Sequence, residues 1–352
     1  MKPSFISTSS ISAASRQSIV KLQAKLAEAQ QEMVSGRFAD VGLKLGFRTG
    51  ESVTLRQEMT RLQTITDTNG MVSTRLDASQ AALKSLAEGA QAFLGQLVAA
   101  REDTSARGVV EAQGKGGLAA LTDALNTTVD GAYLFAGINT DVKPVNAYFQ
   151  SPASAAQTAV AGAFQTAFGI SQSDPAVAGI STVDMQTFLQ GPFAALFDDA
   201  AWSANWSNAS DQNVRSRISS SEMMDASTNA NEQAFRKLAS AYTMAADLNM
   251  EGLNIGAYQA VVDRVVLAVG DAIQGLTALQ SDLGTAQERV SNANDRMSIQ
   301  IDIMTTHIGA LEGVDAEDAA TRVSQLLTQV ETAYAMTARL QQLSLLNYLP
   351  VK

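Results

Sequence analysis

Apolar residues recur in alternating steps of three and four from residue 255 to residue 314. The series consists of Ile255, Tyr258, Val262, Val265, Val269, Ala272, Leu276, Leu279, Leu283, Ala286, Val290, Ala293, Met297, Gln300, Met304, His307, Leu311 and Val314. Only Gln300 and His307 are not apolar. Because this spacing places every member on one side of a helix, it predicts a long helix that packs against another helix along that side.

A second series with the same spacing lies in the first third of the chain. Its members are Leu55, Glu58, Leu62, Ile65, Asn69, Val72, Leu76, Ser79, Leu83, Leu86, Ala90, Phe93, Leu97 and Ala100. They predict a long helix from about residue 51 to residue 106. Two such helices, far apart in sequence, favour a mainly α fold in which both ends of the chain form a long antiparallel helical hairpin with coiled-coil packing.

Two groups of glycines predict where helices end, since each glycine in a helix costs about 1 kcal/mol relative to alanine. A linker is expected at the first group, Gly36, Gly42, Gly46 and Gly50. The first long helix is expected to break at the second group, Gly108, Gly114, Gly116 and Gly117. A short helix on Leu118, Leu121, Leu125 and Thr128 should then run into a turn at Asp130-Gly131.

The heptad pattern disappears between about residues 146 and 227. The composition there shifts to Ala, Ser, Gln, Gly, Phe and Trp, and Asp174-Pro175 and Gly191-Pro192 interrupt the segment. Alternation from Val214 to Ser219 predicts one or two short strands. Helix is expected again from about Asn229 and in a last segment that Asp315 caps. The middle segment is therefore predicted to be a small inserted α+β domain.

The two ends of the chain carry narrow apolar lines with little to cover them. The residues predicted to pack against other subunits are Ile19, Leu22, Leu26 and Met33 near the start, and Val323, Leu327, Val330, Tyr334, Leu340, Leu343 and Leu346 near the end. Segments that cannot bury enough apolar area alone need a partner to become ordered. The lines therefore indicate a subunit of a polymer.

These observations predict three parts. Residues 1–50 with 315–352 form terminal helices for assembly, residues 51–145 with 228–314 form a helical rod domain, and residues 146–227 form the middle domain.

Composition restricts the chemistry that the chain can perform. The 352 residues include no cysteine and one histidine, which argues against disulfides, thiolate metal sites, most zinc sites and a Ser-His-Asp triad. A formal net charge of −10 argues against nucleic acid as a partner. No run of 18 apolar residues predicts a membrane span, and the first residues lack the order of a cleaved signal peptide. We expect no cofactor, no bound metal and no enzymatic activity.

Four local patterns each admit a functional and a structural interpretation. The Gly-rich segment around Lys115 lacks the phosphate-loop spacing, so a helix break is favoured. A metal ligand or pH switch at His307 is weighed against a polar residue on the helix seam with a local partner. Trp202 and Trp206 could stack on a sugar, although core packing is favoured. The acidic pairs Asp198-Asp199 and Glu317-Asp318 fit solvated surface or helix starts better than calcium sites.

Three stretches of the sequence resemble the flagellin family. They are Val34-Ser35-Gly36-Arg37, the stretch from Asn126-Thr127 through Val129-Asp130-Gly131-Ala132-Tyr133-Leu134-Phe135-Ala136-Gly137, and the ending from Thr337 through Leu349. The resemblance covers roughly residues 1–145 and 228–352. After Arg37, however, the chain reads Phe38 to Gly46 where filament subunits share a different pattern. This departure and the ending Asn347 to Lys352 favour the family's junction proteins, which join the hook to the filament, over its filament subunits.

The resemblance implies a structural role. Both terminal helices would form an inner coiled-coil layer of a tube, the rod domain the next layer, and the middle domain the outer face. The expected partners are other copies of the chain, neighbouring hook-associated and flagellin subunits, and an export chaperone. The family also implies an extracellular place in the bacterial flagellum, reached through the flagellar type III apparatus with an uncleaved signal.

Two other classes stay open from the residues alone. A coiled-coil adaptor or signalling rod would bind a partner helix without polymerising and would form a stable dimer with ordered ends. A secreted effector or hydrolase would carry its activity in the middle domain, where the sequence offers only Trp202, Trp206 and scattered acids.

Overall fold

A computed structural model describes the backbone of residues 8–346 and the side chains of residues 13–339 apart from Thr104. The chain divides into two compact units. The terminal unit comprises Met1–Gln63 with Ser298–Lys352, and the central unit comprises Thr64–Met297. The three-part division predicted from the sequence stays a prediction.

The described chain is mostly helical. In order, its elements are α1 (Thr8–Ser35), α2 (Val41–Leu45), α3 (Thr49–Ala100), α4 (Arg107–Leu125), β1 (Thr128–Val129), β2 (Ala132–Tyr133), α5 (Ala155–Phe168), α6 (Thr182–Gln190), α7 (Asp199–Asn205), β3 (Arg215–Arg217), β4 (Met223–Asp225), α8 (Gln233–Asp247), α9 (Ile255–Glu312) and α10 (Ala316–Leu346). Short 3-10 turns connect several of them. The strands form two antiparallel pairs, β1 with β2 and β3 with β4. The predicted mainly α fold is confirmed.

In the central unit, α3 and α9 run antiparallel. The Tyr258 hydroxyl donates to the carbonyl of Ala100 at 2.8 Å, and the Gln80 amide donates to the carbonyl of Gln280 at 2.6 Å. Further along, Asn69 donates to the side chain of Asn294 at 2.7 Å. The residue numbers of the partners on α9 therefore increase as those on α3 decrease, as expected for antiparallel helices. Every predicted α3 position from Ile65 to Ala100 is buried, which is the coiled-coil arrangement that the spacing indicated.

The α9 series departs from its prediction at both ends. Ile255 is exposed in the first turn, and Val314 lies two residues beyond the end of the helix at Glu312. Gln300 and His307 are exposed, whereas Ile308 between the predicted positions is buried. A strict seven-residue repeat drifts around a straight helix of 3.6 residues per turn by about 20° per heptad, so a fixed series leaves the contact face over 58 residues.

His307 is therefore not a seam residue. Its Nε2 lies 3.5 Å from a carboxylate oxygen of Glu51 at the surface of the terminal unit, so the prediction of a local partner agrees with the structure.

Helix α3 ends at Ala100, before the four glycines at which the first long helix was predicted to break, and a new helix, α4, contains all four. The reason is the closeness of α4 to α8. A Cβ at Gly114 would lie 2.8 Å from the Cβ of Ala245 and 2.8 Å from the backbone nitrogen of Ala246, and one at Gly117 would collide with the ring of Tyr242. The absence of side chains at these positions lets the helices approach, and the packing gained offsets the helix cost of glycine.

The predicted linker at residues 36–50 is also partly helical. Asp40 caps α2, its side chain accepting from the Leu43 amide at 2.8 Å, and Gly50 lies in the first turn of α3.

Residues 146–227 share a buried core with the flanking helices of the central unit. The Tyr148 hydroxyl donates to Asp247 of α8 at 2.7 Å, and the Asn69 amide donates to the carbonyl of Ile218 at 2.9 Å. The strands expected near residues 214–219 are present as β3 and its partner β4. The turn expected at Asp130-Gly131 joins β1 to β2, with positive φ at both residues.

The contact between α4 and α8 predicts opposite effects for two neighbouring glycines. Gly114→Ala should lower the free energy of unfolding by about 1–3 kcal/mol, because its Cβ meets backbone that cannot move aside easily. Gly116→Ala, the matched control, meets nothing within 4 Å and should raise it by up to about 1 kcal/mol. Urea unfolding followed by circular dichroism measures both. Equal effects of the two substitutions would contradict the packing explanation.

Candidate assembly interface

Helices α1 and α10 of the terminal unit pack against each other in antiparallel orientation. At one end, the Val314 amide donates to the carbonyl of Gly36 at 2.9 Å. Further along the pair, Arg322 lies 2.9 Å from Glu32, and the Gln23 amide donates to the Tyr334 hydroxyl at 2.6 Å. We call the end that contains residues 26–40 and 313–330 the closed end, and the end that contains residues 13–25 and 331–339 the open end.

The residues predicted to pack against other subunits occupy three kinds of environment. Ile19 and Val330 are buried between the paired helices, and Leu22, Leu26 and Val323 are half-buried. Met33, Leu327 and Tyr334 are 40%, 47% and 50% exposed. The side chains of Leu340, Leu343 and Leu346 lie outside the described residues. Contact of any of these residues with another subunit stays a prediction.

Three alanines and one leucine complete the interior of this pair, and the sequence prediction missed them. Ala29 on α1 and Ala319 on α10 are buried, and Leu326 and Ala333 are half-buried. Ala319, Val323, Leu326, Val330 and Ala333 follow one another in steps of four and three, so the signal was present. An equally regular series with larger side chains runs through Val323, Leu327, Val330 and Tyr334, so spacing alone does not distinguish the two lines. In the structure Leu327 and Tyr334 flank the buried line.

A buried carboxylate lies next to the closed end of the helix pair. Glu312, the last residue of α9, is 1% exposed. Its carboxylate accepts from the Ser52 hydroxyl and from Arg56, whose Nε lies 3.0 Å away, and forms an ion pair with Arg37 at 2.6 Å. Its backbone carbonyl accepts from the Phe38 amide at 3.0 Å. Glu312 therefore joins α3, α9 and the segment that follows α1.

The surroundings of Glu312 favour its charged form. Hydrogen bonds from Arg56 and then Ser52, with the charges of Arg37 and Arg56, lower the pKa of the Glu312 carboxyl to about 2, although burial acts in the opposite direction. An acidic side chain at the C-terminal end of a helix is disfavoured by the helix dipole. Two arginines and a hydroxyl compensate for this position, so the cluster is stable only as a set.

Large apolar side chains remain exposed over the terminal unit. The three most exposed are Phe47, Leu43 and Val34, at 96%, 84% and 83%. The same unit also exposes Val20, Met33, Val53, Ile299, Ile303, Leu327, Tyr334 and Met336. Extensive exposed apolar surface of this kind is typical of interaction sites. The terminal unit thus has the surface expected of a subunit that other subunits cover.

The alternative chemical sites have structural explanations. Trp202 and Trp206 are buried and stacked, with ring centroids 5.1 Å apart, and Trp202 donates to Asn231 at 3.1 Å. Lys115 pairs with Glu111 at 2.8 Å on α4. The acidic pairs stand at helix starts, where Asp199 pairs with Arg236 and Asp315 accepts from the Glu317 amide at 2.8 Å.

Across residues 8–346, no group of three or more acidic or histidine side chains is arranged to hold a metal ion. Within the same range, no helix is long and apolar enough to cross a membrane.

Paired terminal helices, an antiparallel long-helix core and exposed apolar side chains define a helical structural subunit. The chain belongs to the flagellin family. Residues 6–140 match the family model for the bacterial flagellin N-terminal helical region, and residues 266–349 match that for the C-terminal helical region. Together the two regions cover more than half of the chain. The family consists of structural subunits of the bacterial flagellum that polymerise with other flagellar subunits, and it is not enzymatic.

A solved structure has a similar fold. It is assigned to a flagellar hook-associated protein from Vibrio parahaemolyticus, with a TM-score of 0.51 and 11% sequence identity. The match covers 75% of this chain and 97% of that one. The search of curated proteins returned no match.

The Glu312 cluster makes stability depend on pH. The pKa of the Glu312 carboxyl in the folded protein is lowered from 4.5 to about 2. The stabilisation by the charge of this carboxylate is therefore fully present above about pH 4.5 and is lost as the pH falls through 2. Glu312→Gln should lower the free energy of unfolding by about 2–4 kcal/mol at pH 7. The difference from the unchanged protein should shrink between pH 4.5 and pH 2 in thermal unfolding followed by circular dichroism.

Glu58→Gln is the matched control for that experiment. Glu58 pairs with Arg61 on the surface of α3, and such exposed pairs contribute less than about 1 kcal/mol. An effect of Glu312→Gln no larger than that of Glu58→Gln, or one that stays constant down to pH 2, would refute the role given to the cluster.

Proposed function

We propose that the chain is the flagellar hook-filament junction subunit, hook-associated protein 3, which joins hook to filament by polymerising through its terminal helices. The observation that carries the proposal is the surface of the terminal unit, which leaves many large apolar side chains exposed, Phe47, Leu43 and Val34 most of all. A subunit with this surface gains stability when neighbours cover it.

The physical argument concerns how little the helix pair buries on its own. Among the described side chains of α1 and α10, only Ile19, Ala29, Ala319 and Val330 are buried apolar residues. Helices in water depend on tertiary packing for most of their stability. Covering apolar surface contributes roughly 25 cal/mol per Å². Polymerisation can therefore supply the burial that the isolated pair lacks.

The junction role is favoured over the filament role by the segment after α1. Phe38 to Gly46 departs from the pattern of filament subunits, and this segment contains α2 and the exposed Leu43. The fold similarity to a hook-associated protein supports the same choice. A filament subunit is the alternative, and the family match favours it equally.

In the proposed assembly, the terminal helices form the inner layer, residues 51–145 with 228–314 the next layer, and residues 146–227 the outer face. The partners are other copies of the chain and neighbouring hook-associated and flagellin subunits. The chain reaches this place by type III export, with an uncleaved signal and a chaperone. The function is assembly, with no chemical turnover.

Deletion of the gene tests this role. Cells without a junction subunit should carry hooks without filaments and should shed flagellin into the medium, which electron microscopy and immunoblotting of the medium detect. If the chain is instead a filament subunit, antibodies against it should label the filament along its length in unmodified cells. Normal filaments in the deletion strain would refute both roles.

Exposed apolar residues of the terminal unit should be needed for assembly and not for folding. Leu327→Asp leaves a charge in water in the free subunit, so the melting curve should change little. The same charge would be buried in a subunit contact at a cost of several kcal/mol, so filament attachment should fall at least about tenfold.

Val183→Asp is the matched control, because Val183 is 68% exposed on α6 of the central unit. This variant should support normal filaments. If the Leu327→Asp variant is produced and exported at the usual level and supports normal filaments, this face of α10 is not part of the interface.

A further inference from the structure

The charges on the α1 and α10 pair are separated along its length. The open end carries Arg16, Lys21, Lys25 and Arg339 against Glu331, a net charge of +3. The closed end carries Glu28, Glu32, Asp40, Asp315, Glu317 and Asp318 against Arg37 and Arg322, a net charge of −4. The pair is therefore basic at one end and acidic at the other.

The exposed charges are available to a partner. Among the described residues, Lys21, Lys25, Glu317 and Asp318 form no ion pair, and all four are exposed. By contrast, Arg322 and Glu32 neutralise each other across the helices, and Arg37 is held by Glu312. The free charges thus lie at opposite ends of the same helix pair.

Both ends of the helix pair also expose apolar residues. Val20 and Met336 are exposed at the open end, and Val34 is exposed at the closed end. A partner that covers this surface must therefore present apolar side chains together with the opposite charge at each end. A second copy of the same helix pair does so when it is shifted along the helix axis.

We propose that two copies of the terminal unit dock side by side in the same direction with an axial shift, so that the basic open end of one lies against the acidic closed end of the next. Along α1, Lys21 is separated by about 15 residues of helix from the position that lies opposite Glu317. At 1.5 Å per residue this separation gives a shift of roughly 20 Å. Unshifted parallel copies would place like charges together. The shifted contact uses a different patch on each copy, so it continues from copy to copy and does not close as a dimer.

This inference rests on the proposed polymerisation and specifies its geometry. Charge reversal at one end tests it. Glu317→Lys with Asp318→Lys reverses the free charges of the closed end and changes its net charge from −4 to 0, while Lys21→Glu with Lys25→Glu reverses those of the open end and changes its net charge from +3 to −1. Each double variant alone should reduce the number of filaments per deletion-strain cell by about tenfold or more, because like charges would meet in the contact.

Production of both double variants in the same cells should restore filaments, since the reversed charges at positions 317 and 318 of one variant then meet the reversed charges at positions 21 and 25 of the other. Restoration by the mixture separates lost complementarity from misfolding, because two misfolded chains would not rescue each other. Glu288→Lys with Asp295→Lys, an equal change on exposed acids of α9 in the central unit, is the control and should support filaments alone.

The outcomes distinguish the inference from the function. If each double variant alone supports filaments, or if both are exported and the mixture fails, the charge-matched contact is wrong while the junction role stands. Filaments in the deletion strain without any variant would instead refute the junction role. Sedimentation velocity of the mixed purified variants should show open-ended oligomers that dissociate as salt is raised, and a closed dimer alone would overturn the axial shift.

Discussion

Antiparallel pairing of α3 and α9 is the constraint on which the other elements depend. Within the terminal unit, the first turns of α3 and the last turns of α9 also lie together, where the Thr305 hydroxyl donates to the sulfur of Met59 at 3.6 Å. The segment before α3 and the segment after α9 therefore meet in this unit, and α1 can pair with α10. Glu312 stands at this junction in the terminal unit, where Arg37, Ser52 and Arg56 each contribute to one buried carboxylate. A single acidic residue thus holds together segments that are distant in sequence.

The sequence predicts this pairing because the apolar spacing continues over many helical turns. Local signals such as glycines predict less well, because contacts with residues distant in sequence outweigh them. Ile65 to Ala100 could be assigned to a buried face directly from their spacing. Glycines such as Gly114 and Gly117 predict a helix break, yet both lie inside α4, where α8 leaves no space for a side chain. The identity of α8 as the neighbour depends on the fold of the central unit, so no local rule could have supplied it.

The same distinction applies to the candidate interface. A line of apolar residues on α10 was predictable, but spacing alone left two candidate lines, because Leu326 and Leu327 are adjacent and equally apolar. The structure places Ala319 and Ala333 inside the pair and leaves Leu327 and Tyr334 at its flanks. The buried alanines allow close approach of the two helices, and the larger Leu327 and Tyr334 at the flanks remain to be covered. Such a division suits a subunit whose final contacts are made with neighbours.

Charge distribution explains how an acidic chain can pack closely against copies of itself. The central unit holds 13 lysines and arginines against 24 acidic residues, a net charge of −11, so the net charge of −10 for the whole chain leaves the terminal unit at +1. Copies that meet through terminal units therefore bring together surfaces with almost no net charge, while the mutual repulsion arises in the central units. Repulsion between like-charged units keeps subunits soluble and limits unspecific association. A nearly neutral interface with opposite charges at its two ends adds direction, because it favours only those arrangements in which unlike ends meet.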